Sequence, residues 1–107
     1  MKYLLSLFLL VMSFPVLSGS GSGKIMIQYA GAWEGKTLLF FYTETRTDSP
    51  ECNTYNGRWV VNLATEQGKE QYRFLLNAEQ AGKSIKVMGT NDCNLWGNSE
   101  TVKSVSF

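Results

Sequence analysis

Residues 58–88 read RWVVNLATEQGKEQYRFLLNAEQAGKSIKVM, and the fold turns on a change of period inside them. Arg58 to Leu63 alternates, with Trp59, Val61 and Leu63 set against Val60 and Asn62, which predicts a strand. From Thr65 the period becomes helical. The Thr65 hydroxyl can cap a helix, Glu66 stands in the first turn where the helix dipole favours an acid, and Gly82 supplies a stop before Lys83. Between these signals Gly68, Tyr72, Leu75 and Leu76 share a face, with Phe74, Ala78 and Ala81 beside it. Lys69, Glu70, Arg73, Asn77 and Gln80 look outward. A helix from about Glu66 to Ala81 follows, and alternation resumes at Ser84–Met88 through Ile85 and Val87.

Working outward, Lys24–Ala30 places Ile25, Ile27 and Tyr29 on one face and predicts a first strand. Gly31, Trp33 and Gly35 punctuate a turn. Thr37–Thr43 is apolar and aromatic enough for a second strand buried on much of both faces. Glu44–Gly57 and Gly89–Asn98 carry turn formers and read as loops, and Thr101–Phe107 closes with a fifth strand. The chain is thus β-rich α+β, and its element order fits a five-stranded OB-like barrel with one helix between strands three and four. Closure would remove the exposed edges of strands this apolar. An open sheet with the helix packed on one face has the same element order.

The first eighteen residues have one positive charge, Lys2, then an apolar run broken by Pro15, then small residues. They read as a secretory signal peptide, since the run falls short of the roughly 20 residues a spanning helix needs. Val16 and Ser18 occupy the small-residue positions before a cut after Ser18, although Gly19–Gly23 offers later sites. The expected organisation is a signal peptide at 1–18, a flexible Gly/Ser lead at 19–23 and a single OB-like domain at 24–107. The expected location is secreted or periplasmic, without stable membrane insertion.

Removing Lys2 leaves nine of the ten Lys+Arg against nine Asp+Glu. A near-neutral chain with scattered cations argues against nucleic acid as a partner, because phosphate binding needs a clustered basic surface. Cys52 and Cys93 are the two cysteines, and in an oxidising compartment the expectation is one disulfide. It would close a loop of about 42 residues and stabilise by roughly 4 kcal/mol on the chain-entropy account. The chain has no histidine, and two thiols do not complete a zinc sphere, so neither metal nor cofactor is expected. A bridged cysteine pair and the missing histidine also remove ordinary triad chemistry, and Asp92 with Glu100 has no supporting pocket as a catalytic pair. The chain reads as non-enzymatic.

A sugar site needs an apolar plate for the pyranose ring and amides or carboxylates for its hydroxyls. Trp96 with Asp92, Asn94 and Asn98 offers both within one loop, and Trp33 and Tyr55 stand in two others. The competing account folds Trp96 back over the barrel end beside the disulfide, with Asp and Asn as turn residues. Trp59 has the alternation of a core residue, while Arg58 and Lys69 read as solvated.

Cys52 to Val102 resembles a group of small uncharacterised secreted bacterial proteins. The likeness lies in Arg58-Trp59-Val60-Val61-Asn62-Leu63, Gly68-Lys69, Gly82 with Ile85, Val87 and Gly89, and Cys93 with Trp96, Gly97, Asn98 and Glu100. More distantly the layout is similar to B subunits of A/B-type bacterial toxins of the cholera-toxin and subtilase-cytotoxin kind. The resemblance implies an OB-fold subunit in a pentameric ring whose helix lines a pore, with Trp96 and Asn98 near bound sugar. Cys52 departs from it, lying between strands two and three and not near the mature N-terminus. The functional expectation is an exported binding module for a glycan or surface receptor. The alternative is a periplasmic structural or interaction protein, such as an envelope-stress OB-fold protein or a protein inhibitor. The helix also carries more apolar surface than one barrel base needs, which predicts a homo-oligomer.

Overall fold

The computed structural model describes residues 18–107. The expected leader lies outside the described residues except for its last, Ser18. The elements are β1 (Ser20–Trp33), β2 (Lys36–Thr47), β3 (Trp59–Asn62), α1 (Glu66–Ala81), β4 (Ile85–Gly89) and β5 (Glu100–Ser106). The strands form one sheet that closes on itself in the order β1-β2-β3-β5-β4. Every contact round the ring is antiparallel except β3 with β5, where Trp59 faces Glu100 and Val60 faces Thr101 in parallel. That parallel contact needs a crossover, and α1 with β4 provides it. Among the described residues no helix is long and apolar enough to cross a membrane.

The helix has the predicted bounds because its signals are local. Thr65 Oγ1 accepts from Gly68 N at 2.9 Å, and Gly82, at φ 65°, takes the left-handed conformation that lets Lys83 N reach back to Ala78 O at 3.0 Å. Leu75 and Ala78 are buried in the interior with Leu39, Phe41, Trp59, Val61, Ile85 and Val87. Each such aliphatic side chain contributes about 1.5–3 kcal/mol relative to exposure. Gly68 allows the close approach: a Cβ there would overlap the Asn62 carbonyl.

Residues 19–23 are not a flexible lead. Ser20–Gly23 pairs with Ile85–Met88 of β4 on one side, and Ser20–Ser22 with Thr45–Thr47 of β2 on the other, so this stretch closes the ring. Ser20 and Ser22 share hydroxyl hydrogen bonds with Thr47 and Thr45 at 2.7 and 2.6 Å. Gly21 is bare because a Cβ would overlap the Thr43 hydroxyl and crowd the Trp59 ring. The composition of a linker here serves close packing.

The first turn also differs from expectation. Glu34 and Gly35, at φ 49° and 80°, make a two-residue hairpin turn, and Gly31 and Trp33 belong to β1. A register shift between Ile27 and Tyr29 marks a bulge at Gln28. The bulge changes which face the strand presents. Ile25 and Ile27 pack inward, whereas Tyr29 pairs with Phe40 and joins the opposite face. Meanwhile β2 buries both faces, as predicted: Leu39 and Phe41 point inward, and Leu38 and Phe40 form a second apolar cluster with Val60 on the outside of β2 and β3.

Candidate functional site

That outer cluster is covered by Tyr29, Leu95 and Trp96, and the cover is incomplete. A cavity of about 360 Å³ remains, lined by Gln28, Tyr29, Trp33, Phe40, Tyr55, Arg58 and Trp96. Its walls come from β1, β2, the β2–β3 loop and the β4–β5 loop. Phe40 forms the floor, with Trp96 edge-on at 5.7 Å between ring centroids and Tyr29 tilted at 6.3 Å. Tyr29 in turn meets Trp33 edge-on at 6.0 Å. Trp33 and Tyr55 are 51% and 41% exposed, so both present ring surface to solvent.

Arg58 organises the cavity. The sequence reads it as a solvated cation, but it is 8% exposed. Its guanidinium carbon lies 3.9 Å from the Phe40 ring centroid and 3.9 Å from that of Tyr55, between the two. In its plane, Nε donates to Ser99 Oγ (2.9 Å), Nη1 to Gln28 Oε1 (3.1 Å) and Nη2 to Asn98 Oδ1 (3.0 Å). One side chain thereby ties together four segments, as a planar fork of five donors can. All three acceptors are neutral, and among the described residues no carboxylate pairs with Arg58. Burial pushes its pKa below the usual arginine value, against a smaller upward pull from Tyr42 and Tyr55. The cavity therefore holds a cation without an internal counter-charge.

The two flanking loops are held together by the Cys52–Cys93 disulfide, as expected, with the Cα atoms 6.1 Å apart. Tyr55 N also donates to Asn98 O at 3.3 Å. Lys36 Nζ, at the other rim, donates to Leu95 O at 2.9 Å and lies 5.8 Å from the Trp96 centroid.

Of the six expected ligand residues, Trp33, Tyr55 and Trp96 line one cavity, although they come from three separate segments. Asn98 lies behind it, with its carboxamide oxygen on Arg58. Asp92 and Asn94 are not in its lining. Asp92 Oδ1 accepts from Asn94 N at 3.1 Å and the Asp92 carbonyl accepts from Thr101 N at 3.1 Å, so this pair shapes the loop. Trp96 combines the two accounts given for it, since one edge packs on the Phe40 cluster while the ring still lines the cavity. Sequence reasoning missed Gln28, Tyr29, Phe40 and Arg58. Gln28 and Tyr29 depend on a bulge, Phe40 faces outward by the alternation of β2, and Arg58 depends on partners 30 to 41 residues away.

A larger, shallower groove of about 780 Å³ runs between α1 and β5, walled by Gln67, Glu70, Gln71 and Arg73 around Phe74 and Val105. At its edge Phe107, 65% exposed, packs on Phe74 with the rings tilted at 41° and centroids 4.5 Å apart. Among the described residues no cluster of His, Cys, Asp and Glu could hold a metal ion. No known protein family, curated protein or solved structure matches the chain.

Proposed function

We propose that this protein is an exported, non-enzymatic binding module and that the aromatic cavity takes a carbohydrate. One observation carries the reading: five aromatic rings and a stacked arginine converge on the outer face of β2 and β3, between the β1–β2 turn and the β4–β5 loop. In OB-type barrels that face and those two loops hold oligosaccharides and oligonucleotides, and the ring order found here suits an OB-like assignment. The near balance of ten Lys+Arg against nine Asp+Glu favours the sugar. Trp33 and Tyr55 offer exposed plates for the C–H face of a pyranose. Gln28 and Arg58 face its oxygens, and the unpaired charge of Arg58 favours a sugar that carries a carboxylate. The cavity lies at the small end of the range for ligand sites, which suits one sugar residue of a longer glycan.

The disulfide and the leader-like first eighteen residues support export to the periplasm or beyond. The toxin B-subunit resemblance adds a ring of identical subunits. Phe74, Val105 and Phe107 give that assembly an apolar contact surface on α1 and β5. Light scattering at tens of micromolar should then report a closed oligomer, and a monomer would remove the ring from the proposal.

A glycan array probed with the disulfide-bonded protein tests the main reading. Binding to a set of glycans with a shared terminal residue, acidic ones foremost, is expected for the native protein and is lost in Trp33→Ala. An array without binding, or binding that Trp33→Ala leaves unchanged, contradicts the assignment and leaves a protein partner as the better reading.

A further inference from the structure

The start of β1 contains a second built site. Gly19 N donates to Glu100 Oε2 at 3.0 Å, and the Gly19 carbonyl accepts from Gly89 N at 2.8 Å. Glu100 is wholly buried; its Oε1 pairs with Arg46, and Oε2 also accepts from Asn91 N at 2.9 Å. A Cβ at Gly19 or at Gly89 would overlap the Glu100 carboxylate. The carboxylate thus lies in a cradle that bare backbone alone can enter. Ser18, the residue before, is half-buried and ends the stretch that reads as a leader.

We infer that the Ser18–Gly19 bond is the maturation cut, and that the α-ammonium it releases on Gly19 is a permanent ligand of the Glu100 carboxylate. This rests on reading residues 1–18 as a removed leader. The cut is hydrolysis by a signal peptidase of the exporting cell. The Ser18 carbonyl carbon takes the hydroxyl of water and leaves as a carboxylate, and the Gly19 nitrogen takes the released protons and becomes an ammonium. Before the cut the nitrogen offers Glu100 one amide N–H. After it, the same atom carries a full charge, so a hydrogen bond with one charged partner becomes an ion pair with two. Arg46 from β2 and Glu100 from β5 are the charged side chains nearest the cradle, while β4 presents the Gly89 backbone. A later cut within the glycine run would remove residues that pair with β2 and β4. Gly19 is buried in the closed ring, so hydrolysis precedes closure. Loss of the leader then becomes part of how the ring is locked.

The full chain, exported from its own leader, should have an intact mass that begins at Gly19. A mass beginning at Met1 refutes the leader reading itself. A start at any other residue refutes this cut and leaves the leader reading standing. The Gly19-start protein is then compared with a form one residue longer, beginning at Ser18, for acylation of the α-amine near pH 7. The Gly19 amine should react about tenfold more slowly, the loss of free amine that a one-unit rise in its pKa brings. It should also melt about 5 °C higher. Equal acylation rates overturn the inference whatever the melting points show.

Discussion

Two arginines, Arg46 partly buried and Arg58 buried, lie on opposite sides of the sheet, and they differ in what answers their charge. Arg46 lies over the Trp59 ring at 3.6 Å and pairs with Glu100 in the interior. Arg58 lies between Phe40 and Tyr55 at similar distances and is bonded to three neutral groups. Burial lowers the pKa of both, so the two sites share a desolvation cost. At Arg46 a carboxylate offsets that cost, and the pair fastens β2 to β5. At Arg58 the charge is left for something outside the chain. A buried pair within a fold is a joint, whereas a buried cation that opens on a cavity is half of a recognition site.

The comparison breaks most visibly at its paired side. Arg46→Met should destabilise by about 3–5 kcal/mol, because it takes the arginine from the buried Oε1 of Glu100, which the Gly19 nitrogen on Oε2 does not reach. Denaturant melts should show this directly, and a cost below about 1 kcal/mol would mean that the pair contributes little. Trp96→Ala comes next, at about 2 kcal/mol, since a half-packed ring loses less than the 3–5 kcal/mol of a fully buried one. It should also weaken glycan binding. Arg58→Met should cost about 1–2 kcal/mol, leaving neutral acceptors unpaired, and should abolish any preference for acidic sugars. If Arg58→Met proved as costly as Arg46→Met, the contrast between the two sites would fail. Trp33→Ala has the smallest expected effect on folding, within about 0.5 kcal/mol, with a large loss of binding. Melting and binding measured on one sample would show that separation.

What could be read from the sequence follows the range of the interactions involved. The helix was legible to its end residues because Thr65 and Gly82 act on their own neighbours within a few positions. The burial of Trp59 and the joining of Cys52 to Cys93 were also accessible, from alternation and from elimination. Gly19–Gly23 was not, since its glycines answer to Glu100, Thr43 and Glu44, all more than 20 positions away along the chain. Arg58 failed for the same reason: a charged residue at a strand start looks solvated until Gln28, Asn98 and Ser99 are brought round it. Residue type and predicted loop position mark Trp33, Tyr55 and Trp96, the last also through the toxin-subunit resemblance, and folding supplies their convergence.

The most direct test uses the three tryptophans as internal reporters. Trp33 and Trp96 line the cavity, while the Trp59 indole is buried in the interior with its Nε1 donating to Thr43 Oγ1 at 3.2 Å. In a proton–nitrogen correlation spectrum each indole gives its own signal. Titration with the strongest binder from the glycan array should move the Trp33 and Trp96 signals, together with the Arg58 Nε signal, and leave Trp59 in place. Movement confined to residues of the α1–β5 groove, with both cavity tryptophans unmoved, would contradict the account.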